Sequence, residues 1–174
     1  KLISVPMGRM DLIPEECEII DKRTLVPVDF PKFKFDLRDS QAKVCNEIND
    51  NVIINALPGW GKTFVALALA AKLGQKTLVV VHTLALRNQW EEEVEKCLGV
   101  KAGIIGSGKM DTDSIIVVAN VQTLGKKMSE IQKMFGTVIL DEVHHCPAPT
   151  FSKIVDKCSA RYKIGLSGTL KRKD

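Results

Sequence analysis

The 174-residue sequence predicts an α/β domain with a mostly parallel sheet and helices on both of its faces. Three observations point there. Short β-rich runs alternate with helical stretches from residue 52 onward. Two of those runs, "TLVVVH" (77–82) and "IIVVA" (115–119), are apolar without alternation, as strands covered on both faces should be. A glycine-rich stretch, "ALPGWGKT" (56–63), stands between one such run and a helical one.

The elements follow in order. Pro6, Pro14, Pro27 and Pro31 punctuate residues 1–34 and argue against long helices there. Within that stretch "CEIIDKRTLVPV" (17–28) fits a short hairpin turning at Asp21–Arg23. "DLRDSQAKVCNEIND" (36–50) reads as an amphipathic helix capped by Asp39 or Ser40. Strands are expected at 52–55, 77–82, 115–119, 137–140 and 162–166, with a weaker one at 102–105. Helices are expected at 62–73, 86–98, 121–134 and 149–158, with Gly74, Gly99 and Gly136 as stop signals. Repeats and low-complexity tracts are absent from the sequence.

Apolar residues at 45% and charged residues at 26% describe a globular chain long enough to bury a core, and they exclude a disordered one. The net charge of +4 admits a nucleic-acid partner without requiring one. Five cysteines lie scattered at 17, 45, 97, 146 and 158, a pattern of reduced cytosolic thiols. No apolar run reaches ~18 residues, so no helical membrane span is expected. The chain opens at Lys1 without a signal pattern or an initiator Met, and it reads as a piece of a longer polypeptide.

Two stretches compete for the role of phosphate loop. "ALPGWGKT" has the context that role demands: "NVIIN" (51–55) feeds it, and "TFVALALAAKL" (63–73) follows. A helix start there aims backbone N–H groups and a dipole at an anion. Lys62 can reach the β- and γ-phosphates, and Thr63 supplies a hydroxyl for Mg²⁺. Ala56 replaces the first glycine of the pattern, while Gly59 and Gly61 still allow close backbone approach. "GIIGSGKM" (103–110) matches the letters but not the context. Met110 replaces the hydroxyl, Asp111 and Asp113 would repel a triphosphate, and no helix follows. It is expected to be a strand end and a polar turn.

"VILDEVHH" (138–145) places Asp141 and Glu142 at the carboxyl end of an apolar strand, where a parallel sheet holds its ligands. Asp141 is expected to hold Mg²⁺ through water. Glu142 is expected to orient and deprotonate the attacking water. His144, His145 and Cys146 lack a second ligand pair at metal spacing, which argues against zinc.

Taken together, these motifs resemble the first RecA-like motor domain of a superfamily-two helicase of the DExH type. "ALPGWGKT", "VVVHTLALRNQW" (79–90), "VVANVQTL" (117–124), "DEVH" (141–144) and "IGLSGTLKRKD" (164–174) stand as motifs I, Ia, Ib, II and III, in family order. "FDLRDSQ" (35–41) resembles the Q-motif. "DEVHH" and "GLSG" look most like the DNA-repair and phage-recombination branch, which suggests a phage or viral source.

The resemblance implies roles. ATP with Mg²⁺ would sit on Gly59, Trp60, Gly61, Lys62, Thr63 and Phe64. Gln41 would read the adenine, with Arg38 or Phe35 beside it. His144 would couple the nucleotide to Ser167 and Thr169. Thr83, Arg87, Gln122 and Thr123 would touch a nucleic-acid backbone, DNA before RNA. Residues 1–34 would be an accessory segment and 35–174 the ATP-binding domain, with a second RecA-like domain expected elsewhere in the same polypeptide. The chain departs from the family at Gly168, where Ala is usual, and at Leu170, where Pro is usual. A small P-loop kinase, the motor of a restriction enzyme and a degenerate ATP-binding scaffold are the competing readings. A D-E-x-H strand is unexpected in the first. A nuclease domain would mark the second. The intact Lys62, Thr63, Asp141 and Glu142 speak against the third.

Overall fold

A computed structural model describes residues 10–142 and 148–168. These residues form a seven-stranded sheet in the order β1-β7-β6-β2-β5-β3-β4. The strands are β1 (Val52–Asn55), β2 (Thr77–Val81), β3 (Gly103–Gly106), β4 (Lys109–Met110), β5 (Ile116–Asn120), β6 (Thr137–Leu140) and β7 (Tyr162–Ser167). Every neighbouring pair is parallel except β3 with β4. The helices are α1 (Asp39–Glu47), α2 (Lys62–Leu73), α3 (Leu84–Leu98), α4 (Val121–Ile131) and α5 (Ala148–Lys157), after a short 3₁₀ turn at Met10–Leu12.

Strand periodicity divides the core into two layers. On one face Val79, Val81, Ile116, Val118, Ile139, Ile164 and Leu166 pack against α1, α2 and α3. On the other, Leu78, Val80, Val117, Ala119, Val138 and Leu140 pack against α4 and α5. β2 and β5 are buried at every position, which is why their sequences show no alternation. β1 differs: it stands at the sheet edge and Ile53 is 57% exposed. The α2 helix is apolar nearly all round because Leu67 and Leu69 are both fully enclosed, a burial worth ~1.5–3 kcal/mol for each.

Gly74 and Gly99 close α2 and α3 in the left-handed conformation (φ 60° and 71°). Three expectations need correction. The α1 helix is capped by Arg38, not by Asp39 or Ser40, and the Gln41 side chain accepts from the Arg38 N–H at 3.0 Å. The α4 helix ends at Ile131 rather than running toward Gly136, and a single further turn carries Met134 N–H to Ile131 O. The expected hairpin at 17–28 does not form.

That segment instead runs along the sheet's amino-terminal side. Thr24 bridges to Ala160, Val28 N–H bonds to Gly74 O, and Lys34 N–H bonds to Cys97 O. Phe30 and Phe33 pack on the first core layer. A hairpin would have satisfied these backbone groups locally, but pairing with distant chain satisfies them and also covers apolar surface. Asp21 does turn back on Arg23, whose guanidinium hydrogen bonds hold the Asp21 carboxyl well below its ordinary range. Among the described residues no helix is long and apolar enough to cross a membrane.

Candidate nucleotide site and nucleic-acid face

The loop 56–61 links the edge strand β1 to α2. Gly59 and Gly61 take φ of 80° and 94°, conformations that side-chain-bearing residues rarely adopt. At Gly61 a Cβ would also lie 2.7 Å from Gln41 Nε2, so any side chain there would push the Gln41 amide aside. Ala56 is not among the positive-φ residues, so its departure from the glycine pattern carries no backbone strain. The α2 helix begins at Lys62 and directs its first N–H groups toward the loop.

The cleft there encloses about 440 Å³. Gly59, Gly61, Lys62, Thr63, Phe64, Asp141 and Glu142 line it, joined by Gln89, Glu93 and Lys96 of α3. The first seven are residues the sequence nominates. Of the three from α3, Gln89 falls within the stretch 79–90 without being singled out, and Glu93 and Lys96 carry no motif.

Gln41, only 4% exposed, donates through Nε2 to Trp60 O at 2.9 Å, and Arg38 donates to the same carbonyl. Both residues therefore hold the loop 56–61 directly. One N–H and one lone pair of the Gln41 amide remain beyond these bonds. The rings of Phe33, Phe35 and Phe64 cluster beside them, with Phe64 4.9 Å from Phe33 and 5.7 Å from Phe35.

On the opposite wall, Asp141 and Glu142 follow β6. Burial raises the Asp141 carboxyl above its ordinary pKa, although the Trp90 indole N–H at 2.7 Å works the other way. Glu142 adopts φ 50°, a left-handed conformation uncommon for a residue with a side chain. Lys62 Nζ donates to Ala56 O at 3.0 Å. Gly168 lies just beyond β7. A Cβ on it would lie 3.8 Å from Lys62 Nζ and 3.9 Å from Glu142 Oε2, both ordinary contacts, so alanine would fit there equally well. Ser167 is buried, and its carbonyl accepts from Ala56 N–H at 3.1 Å. His144 and Thr169 lie outside the described residues, as do His145, Cys146, Leu170, Arg172 and Asp174.

The oxygen set of Thr63 hydroxyl and Asp141 carboxylate fits a hard divalent cation that keeps part of its water shell.

A second group of polar side chains gathers at the carboxyl ends of β2, β3 and β5. Thr83 caps α3 by accepting from Leu86 N–H at 3.1 Å. Arg87 donates to Ser107 Oγ at 3.1 Å and pairs with Glu91 at 3.2 Å. Gln122 donates to His82 O at 3.3 Å. A Cβ on Gly106 would lie 3.1 Å from Asn120 Oδ1, 3.7 Å from Thr123 Oγ1 and 3.8 Å from Arg87 Nη1. The "GIIGSGKM" stretch is thus a hairpin whose turn, with Ser107 at φ 52° and Gly108 at φ 78°, reaches Arg87. Asn120 and Ser107 join the group without having been singled out in sequence. Asn120 falls within the stretch 117–124 and Ser107 within 103–110, but nothing in either stretch marks them as neighbours.

The family model described as "Type III restriction enzyme, res subunit" matches residues 34–172. Probable helicase D10 of Escherichia phage T5 is 53% identical over 174 residues, spanning 98% of this chain and 39% of that protein. The DNA 3′-5′ translocase XPB2 of Sulfurisphaera tokodaii is 34% identical, spanning 95% of this chain and 38% of that protein. The chain therefore spans about two fifths of the length of these curated relatives. Among solved structures, the UvsW helicase of bacteriophage T4 superposes with a TM-score of 0.69 at 24% identity, over 82% of this chain and 57% of that one. The SWI2/SNF2 ATPase core of Sulfolobus solfataricus, solved in complex with dsDNA, gives 0.68 at 21% identity over 84% and 34%. These two likenesses establish the fold.

Proposed function

Because the chain belongs to the family described as the res subunit of type III restriction enzymes, we propose that residues 35–174 are the ATP-binding half of an ATP-dependent DNA helicase or translocase. The observation that carries this reading is the convergence of Lys62, Thr63, Asp141 and Glu142 on one cleft, at a helix N-terminus and the carboxyl ends of parallel strands. The names of two relatives, a probable helicase and a DNA 3′-5′ translocase, support it.

In this reading the α2 N-terminus and Lys62 bind the β- and γ-phosphates, and the loop closes on them. Thr63, and Asp141 through water, would hold Mg²⁺, which when bound would neutralise charge on those phosphates. Glu142 orients a water for in-line attack and accepts its proton. Gln41, with Arg38 and Phe35 alongside, faces the adenine. Ser167, with His144 and Thr169, couples the nucleotide to the track. Thr83, Arg87, Gln122 and Thr123, now with Ser107 and Asn120, form the nucleic-acid face. Residues 1–34 act as an accessory segment whose later half braces the sheet. A second RecA-like domain of the same polypeptide supplies the rest of the track. We place the protein in the cytoplasm, the host's if it is phage-encoded, in keeping with the free thiols at Cys17, Cys45, Cys97 and Cys158.

The test is steady-state ATPase of the full-length protein with single-stranded, duplex and forked DNA and with RNA. Stimulation by DNA is expected. Stimulation by RNA alone would reassign the track, and turnover indifferent to every polymer would remove the motor reading.

A further inference from the structure

Trp90 is the largest fully buried side chain of the described core, and it lies on α3. An indole has one polar atom, a donor, and a buried donor requires an acceptor. Here Nε1 donates at 2.7 Å to Oδ2 of Asp141, 51 residues further along the chain. Backbone carbonyls are the usual partners for such a group, and a carboxylate supplied by another element is a specific arrangement. The chemistry of the donor matters. Lysine or arginine in its place would hold the carboxylate equally well, but its charge would compete with a metal ion for that carboxylate. A neutral N–H restrains the group and leaves its negative charge intact. Restraining Oδ2 also restrains the second oxygen of a carboxylate that lines the nucleotide cleft.

We propose that Trp90 is a positioning residue: its indole N–H holds the Asp141 carboxylate in the orientation that receives magnesium. This rests on Asp141 holding the magnesium of the proposed ATPase, through water. Side chains that orient a metal ligand through a hydrogen bond are worth about 10–100-fold in metal affinity or activity. The bond also ties α3, which opens with Thr83 and Arg87, to that carboxylate.

The experiment uses the full-length protein with Trp90→Phe, and with Trp90 replaced by 3-benzothienylalanine, which keeps the ring shape and exchanges N–H for sulfur. The second replacement preserves the packing if phenylalanine compromises the fold. Calorimetry measures ADP affinity with and without Mg²⁺, and ATPase assays measure the Mg²⁺ half-saturation point and KM for ATP at saturating metal. We expect metal-free ADP affinity within twofold of the parent, a Mg²⁺ half-saturation raised about tenfold or more, and an unchanged KM at saturating metal. Unchanged metal dependence in the benzothienyl protein would reduce Trp90 to a core filler and overturn the proposal. Asp141→Asn, run in parallel, separates the two levels. If it also leaves metal dependence untouched, the assignment of Asp141 as the holder of magnesium fails and carries the inference about Trp90 down with it.

Discussion

Lys62 and Lys109 both end a G-K pair, yet their surroundings differ in ways that predict different losses. Lys62 is the first residue of a twelve-residue helix and lines the cleft with Thr63 and Asp141. Lys109 is exposed, in a two-residue strand. Lys62→Ala in the full-length protein should abolish ATP binding or weaken it severely, while Lys109→Ala should leave it nearly unchanged. Equal losses in a nucleotide-binding titration would move the site. Glu142 offers a sharper contrast between binding and chemistry. A carboxylate that positions water is not needed for affinity, so Glu142→Gln should bind ATP normally and lose about 10²–10⁴ in kcat. Near-normal turnover would make Glu142 structural. Its left-handed backbone supports the assignment, since a strained conformation at a cleft wall is retained where the geometry serves a purpose.

At the scale of elements, the β3–β4 hairpin and the start of α3 act together through Arg87 and Ser107. If this edge meets a phosphate backbone, Arg87→Ala should weaken nucleic-acid binding across sequences and lower the salt-dependence slope by about 1, with ATP affinity unchanged. A slope equal to the parent's would place the backbone elsewhere. The same elements show what a sequence can and cannot reveal. The strands at 52–55 and 137–140 are legible to the residue, because apolar β-branched runs meet a turn signal at each end. So is the shape of the loop 56–61, whose features are local: a strand, two glycines with positive φ, and a helix. The two-residue β4 is not legible, since its pattern is polar and exposed and only its register with Ile105 and Gly106 defines it. The segment 17–28 misleads for a related reason. Its Asp21–Arg23 turn is real, but the strand partner of Thr24 is Ala160, too distant for any local pattern to indicate. The Trp90–Asp141 bond belongs to the same class: both residues carry motif positions, and nothing in either motif says that they touch.

At the scale of the whole molecule, the charge available inside the cleft limits what this chain does alone. In phosphoryl transfer, negative charge spreads over the γ-phosphoryl oxygens, and an arginine that meets it is worth ~10³–10⁵ in rate. Among the described residues, the cations lining the cleft are Lys62 and Lys96, and no arginine is with them. Arg38 is engaged with the Trp60 carbonyl, and Arg87 is held by Ser107 and Glu91 at the other polar group. The chain spans 39% of the phage T5 relative and 38% of the archaeal one, so both relatives have ample further sequence to supply such a group. We therefore expect the polypeptide 1–174 to bind MgATP weakly and to hydrolyse it at a small fraction of the full-length rate, with or without DNA. On the proposed two-domain reading, DNA should bind it loosely and with strong salt dependence. Adding the remainder of the polypeptide in cis or in trans should restore turnover. An ATPase assay of residues 1–174 that matched the intact protein would show that the catalytic charge is already in this cleft. The two-domain mechanism would then give way to a self-sufficient P-loop enzyme.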